Sequence, residues 1–253
     1  MKRKSSDLTE FYIQFLIVVY LLWSFPVLSF GQKEVLVPAD GTVSEGEEQP
    51  VVALTFDDGP SGTSTPVLLE GLRKRGVRAT FFVVGENVEK GENAQILREM
   101  SADGHLIGNH TYHHVNLSKM SAEQAQAELD ATDELVRKIT GKYPIYARAP
   151  YGEVPENGDV DRQRFYIGWT VDPLDWMTED TGAVVKTVVE EINPGDVILL
   201  HDCYPSSVQA AIRIVDLLQG KGYEFVTADD LRLRQKRLSY RRLMCRTESL
   251  EEK

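Results

Sequence analysis

The sequence predicts a parallel α/β fold, on three observations. Short apolar runs of strand length recur between residues 51 and 231, segments with helical spacing separate most of them, and residues able to do chemistry follow directly on the ends of the runs. The composition allows such a fold: 253 residues with 42% hydrophobic and 26% charged side chains can bury one large core. Disordered, collagen-like and coiled-coil chains are excluded, and a mean hydropathy of -0.27 excludes a polytopic membrane protein.

The elements follow in order. Lys2, Arg3 and Lys4 precede an apolar segment from Phe11 to Phe30, and Ser29 and Gly31 place small residues three and one before Gln32, with Pro26 upstream as a helix breaker. Residues 1–31 therefore read as a cleavable signal peptide or as an N-terminal membrane anchor, and both put the remainder outside the cell. Residues 32–50, acidic and rich in Gly and Pro, read as a linker. Val51–Phe56 is an apolar run of strand length, and Thr65–Arg75 follows with helical spacing, which makes a β-α unit. Ala79–Val84 repeats the strand signal, Asn93–Met100 the helix, and Leu106–Asn109 gives a short third strand. Ser121–Ile139 is the longest helical segment, opened by Ser121 and Gln124 in the spacing of a capping box. Ile145–Ala149, Phe165–Val171, Val197–Leu200 and Tyr223–Thr227 complete seven strands, with Ser207–Gln219 as the helix before the last of them. The domain so defined spans 51–231, and 232–253 form a basic tail.

Charge divides along the same boundary. Residues 51–230 hold 16 Lys and Arg against 29 Asp and Glu, net -13, while residues 231–253 hold 8 against 3, net +5. A nucleic-acid partner for the domain is thereby excluded, while the tail is suited to an anionic wall polymer or a membrane surface. Two cysteines, Cys203 and Cys245, are too few for a disulfide-stapled small fold or a four-cysteine zinc site.

In parallel β/α barrels the chemistry sits at the C-terminal ends of the strands. Asp57 and Asp58 follow the first strand, Asn109 and His110 the third, Arg148 and Tyr151 the fourth, Asp172–Trp176 the fifth, and His201 and Asp202 the sixth. Four of the five histidines, His105, His110, His113 and His114, crowd into ten positions. The spacing of His110 and His114 puts two imidazoles on one face of a helical turn, about 5–6 Å apart at Cβ. Such a pair alone is as readily two surface histidines, and Asp-Asp-Gly-Pro alone is as readily a turn. Together they offer two histidines and a carboxylate, a set that leaves open positions on a zinc ion as hydrolytic sites require. Adjacent carboxylates repel, and a metal at one with an arginine near the other would relieve the repulsion.

Five ordered segments then carry a resemblance. Thr55-Phe56-Asp57-Asp58-Gly59-Pro60, His110-Thr111-Tyr112-His113-His114, Arg148-Ala149-Pro150-Tyr151-Gly152, Asp172-Pro173-Leu174-Asp175-Trp176 and Leu199-Leu200-His201-Asp202 resemble the motifs of the NodB-like polysaccharide deacetylases, the fourth carbohydrate esterase family. The resemblance covers about Pro50 to Leu231 and implies a distorted, incomplete (β/α) barrel. It also implies metal-dependent removal of acetate from N-acetylated sugars. Position by position, Asp58, His110 and His114 match the metal ligands, for zinc with cobalt or nickel as substitutes. Asp57 matches the general base and Arg148 the residue paired with it. The Tyr151 backbone N–H matches the donor to the oxyanion, His201 the general acid, and Asp175 the carboxylate that orients it. Trp176 and Leu199 match the walls of a pocket for the acetyl methyl.

Two departures stand out. Glu153–Gln163 is short and strongly polar where family members usually place a helix, so a loop is expected there, and Ala149 stands where proline is common. With the ligand set complete, Cys203 is expected as a packed thiol and His105 and His113 as structural or rim residues. The expected function is an exported deacetylase of N-acetylglucosamine polymers, peptidoglycan or chitin-type oligosaccharide. An O-acetyl esterase of the acetylxylan type and a non-catalytic wall-binding protein are the alternatives.

Overall fold

Strand β1 (Val51–Asp57) is the axis of the architecture, pairing in parallel with three neighbours in a computed structural model of the chain. The structure describes residues 49–154 and 164–251, with side chains as far as residue 239. The expected signal or anchor, all but the last two linker residues, and most of the expected Glu153–Gln163 loop lie outside the described residues.

The remaining strands are β2 (Thr80–Val83), β3 (Leu106–Asn109), β4 (Tyr146–Ala147), β5 (Phe165–Tyr166), β6 (Val197–His201) and β7 (Glu224–Val226). Their order is β5-β4-β3-β2-β1-β6, with β7 on the first half of β1, and every pairing is parallel. All seven expected strands are present. Val171 bridges Ile198 of β6, so the sheet curls from β5 toward β6 as an incomplete barrel. β1 and β2 are buried almost throughout, as expected of parallel strands covered on both faces. The expected strand Phe165–Val171 is broken after Tyr166, because the Arg148 guanidinium takes the carbonyls of Ile167 and Gly168 at 3.0 and 2.9 Å.

The helices are α1 (Thr65–Lys74), α2 (Gly85–Val88), α3 (Asn93–Ala102), α4 (Ala122–Thr140), α5 (Thr181–Glu191), α6 (Pro205–Gly220) and α7 (Ala228–Glu251). Leu68, Leu69 and Leu72 of α1 and Ile214, Val215 and Leu218 of α6 fill one large core against Phe56, Phe81 and Leu200. α4 opens with the expected capping box, Ser121 and Gln124 bonding reciprocally, and closes on Gly141 in the left-handed conformation at φ 79°. α5 lies outside the sequence expectations. Valine is by propensity a strand residue, but Asp180 caps the segment as a helix by accepting from the Gly182 and Ala183 amides, and Val184, Val185 and Val188 face the core.

The expected domain boundary at 231/232 falls inside α7. Leu231 is buried with Ala53, Val226 and Ala228 beneath the strands. Arg234 meets Glu224 through two bonds of 2.8 and 2.9 Å, and Arg232 lies 3.9 Å over the Phe165 ring. The first turns of the basic tail thus belong to the fold.

Candidate active site

Register brings the functional groups to one rim. Asp57 is the Cα partner of His201 across β1 and β6, and Asn109 that of Ala147 across β3 and β4. The residues just beyond these pairs, Asp58, His110 and Arg148, therefore converge over the same end of the sheet.

Simple strand alternation would send Asp57 and Asp58 to opposite faces. Asp58 instead adopts φ 70°, which turns its side chain back over the rim. The turn is held from outside: Asn87 donates to the Asp58 carbonyl at 2.7 Å, and Asn93 donates to the Pro60 carbonyl at 2.9 Å. Gly59 is required there, since a Cβ at that position would lie 2.1 Å from Oδ1 of the fully buried Asp202. Burial pushes the Asp202 carboxyl up to about 7, although it accepts a bond from the Thr65 hydroxyl at 2.6 Å.

The two histidines expected as ligands do not share a helical turn. Residues 110–114 form a loop with Thr111 at φ 64° and His114 at φ 54°, yet the His110 and His114 rings come within 5.0 Å at their centroids. Asn109 shapes this loop, accepting from the Thr111 amide at 2.7 Å and donating to Asp133 at 2.6 Å and to the Leu129 carbonyl at 2.8 Å. His113 points away and pairs with Glu128 at 2.8 Å. His105 lies at the start of β3, away from the rim, and its buried Nδ1 accepts from the Ala79 amide at 3.0 Å.

His110 Nδ1 lies 2.7 Å from the Arg148 carbonyl, an acceptor only, so Nδ1 carries the proton and Nε2 offers a lone pair. That Nε2 is 3.4 Å from Asp58 Oδ1, and His114 Nε2 is 3.2 Å from the same oxygen. Ligand atoms of Asp58, His110 and His114 all lie within 4.8 Å of one another. Asp58 Oδ1 is buried without a hydrogen-bond partner, beside two imidazole nitrogens. One oxygen and two nitrogen donors suit a divalent cation of the zinc type, and the residues fit the expected metal. Burial works to raise the Asp58 carboxyl, but His110, His114 and His201 outweigh it and hold it below its ordinary value. Burial lowers the His114 imidazole despite the charge of Asp58, which keeps it in the neutral, ligating form.

Arg148, 1% exposed, places a buried cation at the site. It donates to Asp57 Oδ1 and to the Thr55 hydroxyl, both at 2.8 Å, while its guanidinium stacks 4.3 Å over the Phe82 ring. Thr55 passes the contact on to the Ile198 carbonyl at 2.6 Å. Asp57 is thus fixed on one oxygen by a buried cation. Across the rim, Asp175 accepts from both the backbone amide and Nδ1 of His201, each at 2.8 Å. Burial lowers the His201 imidazole, but the bond and charge of Asp175, with Asp58 and Asp57 beyond, outweigh it and raise its pKa.

A cleft of about 390 Å³ joins these groups. Asp57, Asp58, His110, His114 and His201 form its floor side, and Tyr151, Leu174, Trp176 and Leu199 its apolar walls. Tyr151 is at φ 63° and its ring lies 4.9 Å from that of His114. Every residue expected at the site is at this cleft or directly behind it. Thr55, Asn87, Asn93, Asn109, Trp169 and Tyr204 also shape or line it without having been assigned a role from the sequence. Thr55 opens the first of the five motifs and Asn109 directly precedes the second, which is the signal that could have found them. Cys203 is a free thiol that burial pushes up to about 12, and it is no part of the ligand set.

A family model described as polysaccharide deacetylase matches residues 44–163. A peptidoglycan-N-acetylglucosamine deacetylase of Bacillus cereus is 38% identical over 70% of the chain and 66% of its own length. The chitin deacetylase of Colletotrichum lindemuthianum is 34% identical over 77% of the chain and 84% of its own length. The solved structure of peptidoglycan deacetylase PdaC from Bacillus subtilis superposes with a TM-score of 0.74 at 33% identity, covering 79% of the chain and 98% of that structure. The curated PdaC sequence, a peptidoglycan-N-acetylmuramic acid deacetylase, is longer, and the chain spans 41% of it.

Proposed function

The chain belongs to the polysaccharide deacetylase family, and from that premise we propose that it is a metal-dependent hydrolase that releases acetate from N-acetylglucosamine units of an extracellular polysaccharide, of peptidoglycan or chitin type. The observation that carries this reading is the orphaned Asp58 oxygen between two imidazoles, flanked by an Asp57–Arg148 pair and an Asp175–His201 pair on one cleft. Asp58, His110 and His114 would hold a divalent metal, most simply zinc. When bound, such an ion lowers the pKa of a water to about 7 and polarises a carbonyl oxygen.

The chain's own groups supply the rest. Arg148 occupies one oxygen of Asp57, so the other is left to take the proton of the attacking water as general base. The Tyr151 backbone N–H, in the left-handed turn at the mouth, is the donor assigned to the oxyanion that develops on the acetyl carbonyl. Asp175 takes Nδ1 of His201, which leaves Nε2 to protonate the departing amine. Trp176 and Leu199 enclose the methyl group. In this reading residues 1–31 export the chain or tether it to the outer face of the membrane, residues 32–50 space the domain from it, and the basic tail adheres to an anionic wall polymer or membrane surface.

Acetate release from N-acetylglucosamine oligosaccharides, before and after chelation, tests the reading. Activity is expected to disappear with the chelator and return with zinc, cobalt or nickel, and His114→Ala is expected to lower the bound metal content. Unchanged activity after chelation would sink the assignment. The name of PdaC favours a second substrate, N-acetylmuramic acid, which a muramyl oligosaccharide in the same assay distinguishes. Acetylxylan in a parallel assay reports the O-acetyl esterase alternative.

A further inference from the structure

Beside the metal-ligand cleft lies a second cavity of about 600 Å³, and Trp176 and Tyr204 line both. Trp176 is 53% exposed and Tyr204 40%, so the wall between the two is aromatic surface open to a ligand, of the kind against which the apolar face of a pyranose packs. Thr178, Ser206 and Gln209 add hydroxyl and amide groups along the second cavity. A glycan with one unit at Asp58 has room there for a neighbouring unit.

Charge decides what that neighbour is. Among the described residues no Lys or Arg lines either cavity, and the second holds two carboxylates, Asp175 and Glu179. Asp175 is committed to His201 through both oxygens. Glu179 is exposed, and its carboxylate has no partner among the described residues. An acetylated unit would offer it a neutral amide and an acidic unit a like charge. A unit that has already lost its acetyl group offers an ammonium.

We propose that the second cavity binds a deacetylated amino-sugar unit of the same chain, Trp176 packing on its ring and Glu179 taking its ammonium. The inference rests on the deacetylase reading and deepens it. A chain on which the enzyme has begun becomes a better substrate than an untouched one, so free amines cluster along the polymer.

Chitin-type tetrasaccharides test this, one fully N-acetylated and the others each with a single glucosamine unit at a different position. The wild-type protein is expected to show a kcat/KM about two- to fivefold higher on the best amine-bearing isomer, the scale of one partly exposed ion pair. Raising the salt should shrink the ratio. Glu179→Gln should bring it to about one, Glu179→Lys below one, and Glu179→Asp should keep part of it. Fully deacetylated tetrasaccharide, titrated calorimetrically, should bind the wild-type protein more tightly than Glu179→Gln. Equal kcat/KM on all isomers in the wild type, a preference that survives Glu179→Gln, or equal calorimetric affinities overturn the inference and leave the deacetylase reading standing. Absence of acetate from every tetrasaccharide overturns both.

Discussion

Asp57 and Asp58 are neighbours in sequence with opposite surroundings: one is pinned by a buried guanidinium, and the other faces two imidazole nitrogens. Asp57→Asn should therefore keep bound metal and lose turnover by about 10²–10⁴-fold, the range for removing a general base. Metal analysis alongside acetate release checks this, and lost metal would show that the two carboxylates are not separable. His201 carries its own pH signature. Its folded-state pKa is raised, so the protonated acid persists above the ordinary imidazole value and is lost as pH rises through the raised one. Asp175→Asn removes the neighbour that raises it and should move the alkaline fall of kcat to lower pH, read from a pH–rate profile. At this scale the identity of the groups was legible and their conformation was not. The four-residue spacing of His110 and His114 suggests a helical turn, but the rings meet because Thr111 and His114 take positive φ and Asn109 ties the loop to α4. Periodicity carries no information about such a backbone.

At the level of elements, short apolar runs bounded by turn residues were enough to find all seven strands. What they could not show was tertiary override. The valines of α5 favour a strand by propensity, yet Asp180 caps them as a helix, and the strand ends after Tyr166 because Arg148, just beyond β4, takes the carbonyls that follow. β3 illustrates how closely the strands approach. A Cβ on Gly108 would lie 2.4 Å from the Phe82 ring and 3.1 Å from the Tyr146 carbonyl oxygen, with backbone on one side and a packed aromatic on the other. Gly108→Ala is expected to cost about 1–3 kcal/mol, measured as a lower urea midpoint at unchanged slope.

For the whole molecule, the acidic domain and the basic tail are joined by one helix whose first turns are structural. Deleting residues 236–253 leaves Leu231, Arg232 and Arg234 in place, so turnover of a soluble oligosaccharide should survive. Retention on an anionic wall polymer or on anionic vesicles should fall at low salt, and a pull-down with each, across a salt series, checks it. Lost soluble turnover would instead make the distal helix part of the fold. A metal held by Asp58, His110 and His114 would have a consequence beyond chemistry. Asp58 follows β1 while His110 and His114 follow β3, with β2 lying between those strands and giving none of the three residues. A cation gripped by all three acts as a clasp across the sheet, fastening two loops that the backbone leaves to separate strands. By mass action such a clasp would favour the folded form by about 2.7 kcal/mol when the free ion stands at a hundred times its dissociation constant. On the proposed reading, the supply of ion would set how much of the protein stays folded as well as how fast it works.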